Sequence, residues 1–179
     1  LLLETFNDTS IAYPSEKTIV DLFEEQVERT PNNIAVVFED KELTYQELNE
    51  KSNQVAHYLH QNYDIIGDDI IALQLERSEW MIIAILGVLK SGAAYLPIGT
   101  DLPTARVDYM LKDSQAKILL TDTSAFEIAS QFAISVENVQ TIEWEKENCL
   151  PLIVHRSPSD LAYIIYTSGS TGVPNGVMV

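Results

Sequence analysis

The sequence predicts an α/β protein, a mainly parallel sheet with helices on both faces. Two patterns carry that reading. Short runs that are apolar at nearly every position, IIALQL (70–75), AYLPI (94–98) and KILLT (117–121), fit strands covered on both sides, since a half-solvated strand would alternate. Between them lie stretches with helical spacing of apolar residues, and strand–helix–strand succession places strands side by side in parallel.

Residues 1–17, with Asn7, Asp8, Pro14 and Ser15 and no sustained period, read as a linker entering a domain over 18–179. Thr18 caps a helix with Ile19, Leu22, Phe23 and Val27 on one face, and Pro31 follows its end. IAVVF (34–38), the polar turn Glu39–Glu42 and Leu43–Tyr45 form a hairpin. Thr44 with Glu47 three residues on is a capping box, opening a helix striped by Leu48, Val55 and Leu59. After the strand at 70–75, Ser78–Lys90 is an apolar helix stopped by Ser91-Gly92, with Trp80 and Met81 as core residues. Pro103 opens a helix reaching about Asp113, a weaker helix is expected over Ser124–Phe132 and a strand over VQTIEW (139–144). A polar connection, 145–159, precedes the final strand, Ala162–Tyr166.

Lys and Arg number 11 against 27 Asp and Glu, a net charge of -16, which disfavours nucleic acid and anionic membrane surfaces as partners. The longest apolar run, Trp80–Leu89, is about half a membrane span, and the first ten residues lack the features of a secretory signal. One cysteine, Cys149, supports neither an internal disulfide nor a zinc cluster; a reducing cytoplasm is expected, with Cys149 as a buried small hydrophobe. His57, His60 and His155 have no partners at metal-ligand spacing and read as packing or surface residues.

The chain closes on DLAYIIYTSGSTGVPNGVMV (160–179). Here a buried-type strand breaks into Thr167, Ser168, Gly169, Ser170, Thr171 and Gly172, then a second apolar stretch follows. Such loops lie where open α/β sheets bind ligands, beyond strand carboxyl ends. Glycines leave backbone N–H groups bare, and hydroxyls add neutral donors, a set suited to phosphate oxygens. It is not the common P-loop, because no Gly-Lys-Ser/Thr follows at the required spacing. Composition alone leaves two readings open, a phosphate cradle or a plain flexible turn.

YTSGSTGVPNGVMV resembles the phosphate loop of the adenylate-forming superfamily, which includes acyl-CoA synthetases, luciferases and the amino-acid adenylation domains of nonribosomal peptide synthetases. LTYQELN (43–49) and LKSGAAYLPI (89–98) are similar to the first two core motifs of the peptide-synthetase branch, and LLLETFNDTSIAYP to the linker after a condensation domain. The resemblance implies the N-terminal portion of the large adenylate-forming domain, incomplete at its C-terminus. It further implies that Thr167, Ser168, Gly169, Ser170, Thr171 and Gly172 hold the β- and γ-phosphates of ATP. The intact enzyme would form an aminoacyl adenylate, with Mg2+, and load it on the phosphopantetheine thiol of a peptidyl carrier domain. The amino-acid pocket and the family's catalytic lysine would lie beyond Val179, so the expectation is no catalytic residue in this segment and no activity from it alone. The chain departs from the family's pattern at Asn175, where lysine is usual, and at Gly99-Thr100, where aspartate is typical. An aryl- or acyl-acid-activating relative and a non-catalytic docking piece are the rival readings.

Overall fold

The computed structural model describes residue 8 and residues 11–122, 132–168 and 174–179. Helix α1, Ile19–Arg29, starts on a capping box in which the Thr18 hydroxyl accepts from the Asp21 N–H and the Asp21 carboxylate accepts from the Thr18 N–H. Its buried stripe is rotated from the expected one. Val20 and Val27 are buried while Ile19 and Leu22 are exposed, because Phe23 turns inward against Tyr45, 6.2 Å between ring centres.

Strands β1, Ile34–Phe38, and β2, Lys41–Thr44, pair antiparallel through a tight turn in which Glu39 takes φ 52°. Thr44 and Glu47 then cap α2, Tyr45–Tyr63, as expected from their spacing. Leu48, Val55 and Leu59 are buried along it.

The central sheet comprises β3 (Ile70–Gln74), β4 (Ala94–Pro97), β5 (Ile118–Thr121) and β6 (Ser135–Asn138), parallel throughout in the order β4-β3-β5-β6. Two helices cross between strands: α3, Glu79–Lys90, after β3, and α4, Thr104–Asp113, after β4. Alternate residues of one strand serve different layers. Ile71, Leu73, Ile118 and Leu120 join the core formed with α2 and α3. Ile70, Ala72, Leu96 and Leu119 join the core formed with Val107, Met110 and Leu111 of α4. This two-sided burial is why the strand runs are apolar without alternation.

α2 and α3 approach closely at Gly87, where a Cβ would stand 2.5 Å from Val55 Cβ and 3.1 Å from the Ser52 carbonyl oxygen. Beyond α3 the chain reverses at Gly92, φ 84°, with the Gly92 N–H on the Leu89 carbonyl and the Ala93 N–H on the Val88 carbonyl. That paired closure needs a left-handed residue, which glycine supplies without strain.

The segment after β5 corrects the strand expected over 139–144. β6 lies earlier, at Ser135–Asn138, and a short 3-10 helix occupies Trp144–Lys146. Asn138 ends the strand: its side chain accepts from the Gln140 N–H and its carbonyl from the Thr141 N–H, a polar turn that competes with pairing. Trp144 then folds back, its indole N–H donating to the Val139 carbonyl at 2.7 Å. The helix expected over Ser124–Phe132 lies outside the described residues except for Phe132, which is buried.

Cys149 is exposed rather than buried. It sits on the polar connection, which α2 holds by its backbone: Asn53 Nδ2 donates to the Cys149 carbonyl and His57 Nε2 lies 3.0 Å from the Leu150 carbonyl. His60 Nε2 is 2.8 Å from the Ser91 carbonyl, so both histidines serve main-chain groups. Among the described residues no helix is long and apolar enough to cross a membrane, and no three His, Cys, Asp or Glu side chains cluster as a metal site.

Candidate functional site

The last strands, β7 (Ile164–Thr167) and β8 (Asn175–Met178), form an antiparallel hairpin in the register Thr167↔Asn175, Tyr166↔Gly176, Ile165↔Val177 and Ile164↔Met178. Its tip is the candidate loop. Thr167 and Ser168 are exposed at the end of β7, and Thr167 Oγ1 reaches toward the Asn175 carbonyl at 3.5 Å. Gly169, Ser170, Thr171 and Gly172 lie outside the described residues. The described part of the hairpin, 161–168 and 174–179, carries no charged side chain, so the polar groups at its mouth are hydroxyls, the Asn175 amide and main-chain groups.

The foot of the hairpin joins the sheet. The Tyr95 N–H donates to the Ala162 carbonyl, Tyr95 and Tyr163 form an isolated parallel bridge, and their rings lie 5.4 Å apart. The loop end rests on α4. Tyr166 Oη donates to Asp113 Oδ2 at 2.6 Å, and Tyr109 Oη donates to the Pro174 carbonyl at 3.3 Å. Burial, and then the Asp113 carboxylate, push the Tyr166 phenol well above its ordinary pKa, so it remains a donor at any physiological pH. Gly176 eases the fit, since a Cβ there would meet Tyr166 Cζ at a tight 3.2 Å.

Sequence reasoning singled out the loop and Gly176 but not Tyr109, Asp113 or Tyr166 as the groups that meet beside it. The spacing of Tyr109 and Asp113, four apart on a helix, marks a shared face. It does not say what that face meets. Gly99, one of the two departures noted, has its carbonyl 3.4 Å from Gln74 Nε2, and a Cβ would come within 2.8 Å of Asp101 Oδ1. The aspartate typical there would crowd that carboxylate. A separate pocket of about 360 Å³, lined by Thr18, Val20, Ala93, Ala162 and Tyr163 among others, opens at the foot of β7, the end away from the loop. It contributes nothing to a phosphate site at the tip.

Residues 23–179 match the family described as AMP-binding enzyme. The chain belongs to the AMP-binding enzyme family. Within this family it is similar to Bacitracin synthase 1 of Bacillus licheniformis, 45% identical over 99% of this chain and 3% of that protein. Bacitracin synthase 2 of the same organism is 46% identical over 99% of this chain and 7% of its own length. Among solved structures, the AMPPNP-bound nonribosomal peptide synthetase FmoA3 superposes with a TM-score of 0.83 at 30% identity, over 97% of this chain and 18% of that one. The N-terminal subdomain of Klebsiella oxytoca NpsA, in complex with 3-hydroxyanthranilyl-AMSN, gives 0.77 at 30% identity, over 90% of this chain and 40% of the subdomain. The chain therefore spans a few per cent of the length of the bacitracin synthases it matches, and less than half of the NpsA N-terminal subdomain.

Proposed function

We propose that this chain supplies the ATP phosphate loop and much of the N-terminal sheet of an amino-acid adenylation domain in a nonribosomal peptide synthetase. The observation that carries the reading is the hydroxyl- and glycine-rich tip of β7–β8, mounted on a chain of AMP-binding fold. In the whole protein a substrate carboxylate attacks the α-phosphorus of ATP, pyrophosphate leaves, and the acyl group passes from the adenylate to a carrier-bound phosphopantetheine thiol. Thr167, Ser168, Gly169, Ser170, Thr171 and Gly172 hold the β- and γ-phosphates through main-chain amides and hydroxyls. Mg2+ would enter with those phosphates and offset their charge. Residues 1–17 act as a linker from a condensation domain ahead of 18–179, and the synthetase works in the cytoplasm.

The bacitracin synthases, matched at 45–46% identity, support the amino-acid branch. An aryl-acid substrate is the second reading, favoured by the 3-hydroxyanthranilyl-AMSN held by the NpsA subdomain. Exchange of pyrophosphate into ATP by the intact synthetase decides between them. Exchange that depends on one or a few amino acids is the expected result. Exchange with aryl acids alone selects the second reading, and silence with both leaves a non-catalytic scaffold.

Asn175 gives a sharper measurement. A lysine in its place adds a charge-assisted contact worth about 1 kcal/mol more than a neutral hydrogen bond, so Asn175→Lys should lower the KM for ATP roughly fivefold. An unchanged KM would mean that this side chain does not face the nucleotide.

A further inference from the structure

We propose that α4 is the mount that sets the mouth of the phosphate loop, with Tyr109 and Asp113 as positioning residues for ATP. This deepens the reading above and rests on it. The two hydrogen bonds from this helix face end on opposite arms of the hairpin. Tyr109 takes the carbonyl of Pro174, the residue that leads into β8. Asp113 takes the hydroxyl of Tyr166, the residue before Thr167 in β7. The rings of Tyr109 and Tyr166 meet edge to face, 6.4 Å apart at 82°, so the helix also packs against β7.

Tyr109 and Asp113 stand one helical turn apart, and α4 is seated by Val107, Met110 and Leu111, which are 1–3% exposed. The loop between the anchored arms, 168–173, is made of small, polar and glycine residues with Val173 at its end. Ordering a binding segment on contact with its ligand costs affinity, and anchors outside the segment reduce that cost. Fixing Tyr166 and Pro174 sets the positions from which the phosphate contacts are made. The register of the hairpin alone does not do this, because its other attachment, the Tyr95–Tyr163 bridge, is at the foot. Gly176 belongs to the same device, since a Cβ there would press on the Tyr166 ring at 3.2 Å and on Ile164 Cγ2 at 3.1 Å.

The test is steady-state kinetics of the intact synthetase. Tyr109→Phe and Tyr166→Phe keep the rings and remove one hydroxyl each. The expected result is a roughly five- to tenfold rise in the KM for ATP, with kcat and the amino-acid KM changed by less than about twofold. Asp113→Ala should match Tyr166→Phe, and Asp113→Asn, which retains an acceptor oxygen, should recover most of the lost affinity. Parallel shifts in kcat, both KM values and the melting temperature would reveal mere structural support and overturn the proposal. Thr171→Ala separates this from the underlying reading. If it raises the ATP KM while the tyrosine variants do not, the loop binds ATP and the mount is wrong. If none of the variants moves the ATP KM, the loop reading falls first.

Discussion

Gly87→Ala is expected to destabilise the seam between α2 and α3 by about 1–2 kcal/mol, in spite of alanine's better helix propensity. Replacing glycine by alanine inside a helix ordinarily gains about 1 kcal/mol. Here the new methyl would sit 2.5 Å from both Cβ and Cγ1 of Val55, which is 1% exposed and has nowhere to go. Overpacking of that kind costs about 1–3 kcal/mol, and separating two helices by the required fraction of an ångström also loosens their neighbours. The overlap includes Val55 Cβ, so Val55→Ala should not relieve it, whereas Val55→Gly should return part of the loss. Amide hydrogen exchange across α2 and α3 in the intact protein reads the effect. Unchanged protection in Gly87→Ala would show that the helices can part freely.

The second large effect belongs to Lys90, whose side chain is among the most fully buried in the described structure. Its ammonium donates to the Asn49 carbonyl at 3.2 Å, to Asn49 Oδ1 at 2.5 Å and to Asn53 Oδ1 at 2.7 Å, and it lies 5.2 Å from the centre of the Phe23 ring. Lys90→Met fills a similar volume but leaves three acceptors without their donor. A loss of about 3 kcal/mol is expected.

This penalty depends on pH, with a definite sign. Burial pulls the Lys90 pKa down from 10.5 to about 7, with Glu24 opposing and Arg156 reinforcing. Between pH 7 and 10.5 the unfolded chain therefore holds a proton that the folded chain has released, and the contribution of Lys90 to stability rises with pH. At about 1.36 kcal/mol per pKa unit the rise is at most about 5 kcal/mol. Below pH 7 both states are charged and the contribution is flat at its lowest level. Wild-type protein should gain on Lys90→Met as pH goes from 7 to 10, by the same exchange measurement. A gap that does not vary with pH would place the ammonium in better contact with water than its burial indicates.

The parts of the fold that were legible in the sequence are those whose cause is local. The Thr44–Glu47 cap, the stop at Gly92 and the doubly apolar strands each depend on a few adjacent residues. The strand misplaced at 139–144 shows the opposite case: its residues suit a strand, but Asn138 turns the chain and the Trp144 indole finds a carbonyl five residues back. Lys90 reads in sequence as the polar end of an apolar helix. Its burial depends on Asn49 and Asn53 of another helix, which no helical period displays. The site divides in the same way. Thr167 and Ser168 stand out by composition and occupy the hairpin's mouth, whereas Tyr109 and Asp113 acquire meaning only when α4 and the hairpin come together.

The four-stranded sheet draws all its strands from residues 70–138, while the hairpin begins at Ile164. Every strand of that layer is therefore translated before the loop. The hairpin thus follows in the chain the two surfaces on which it docks, the Tyr95 amide and the face of α4.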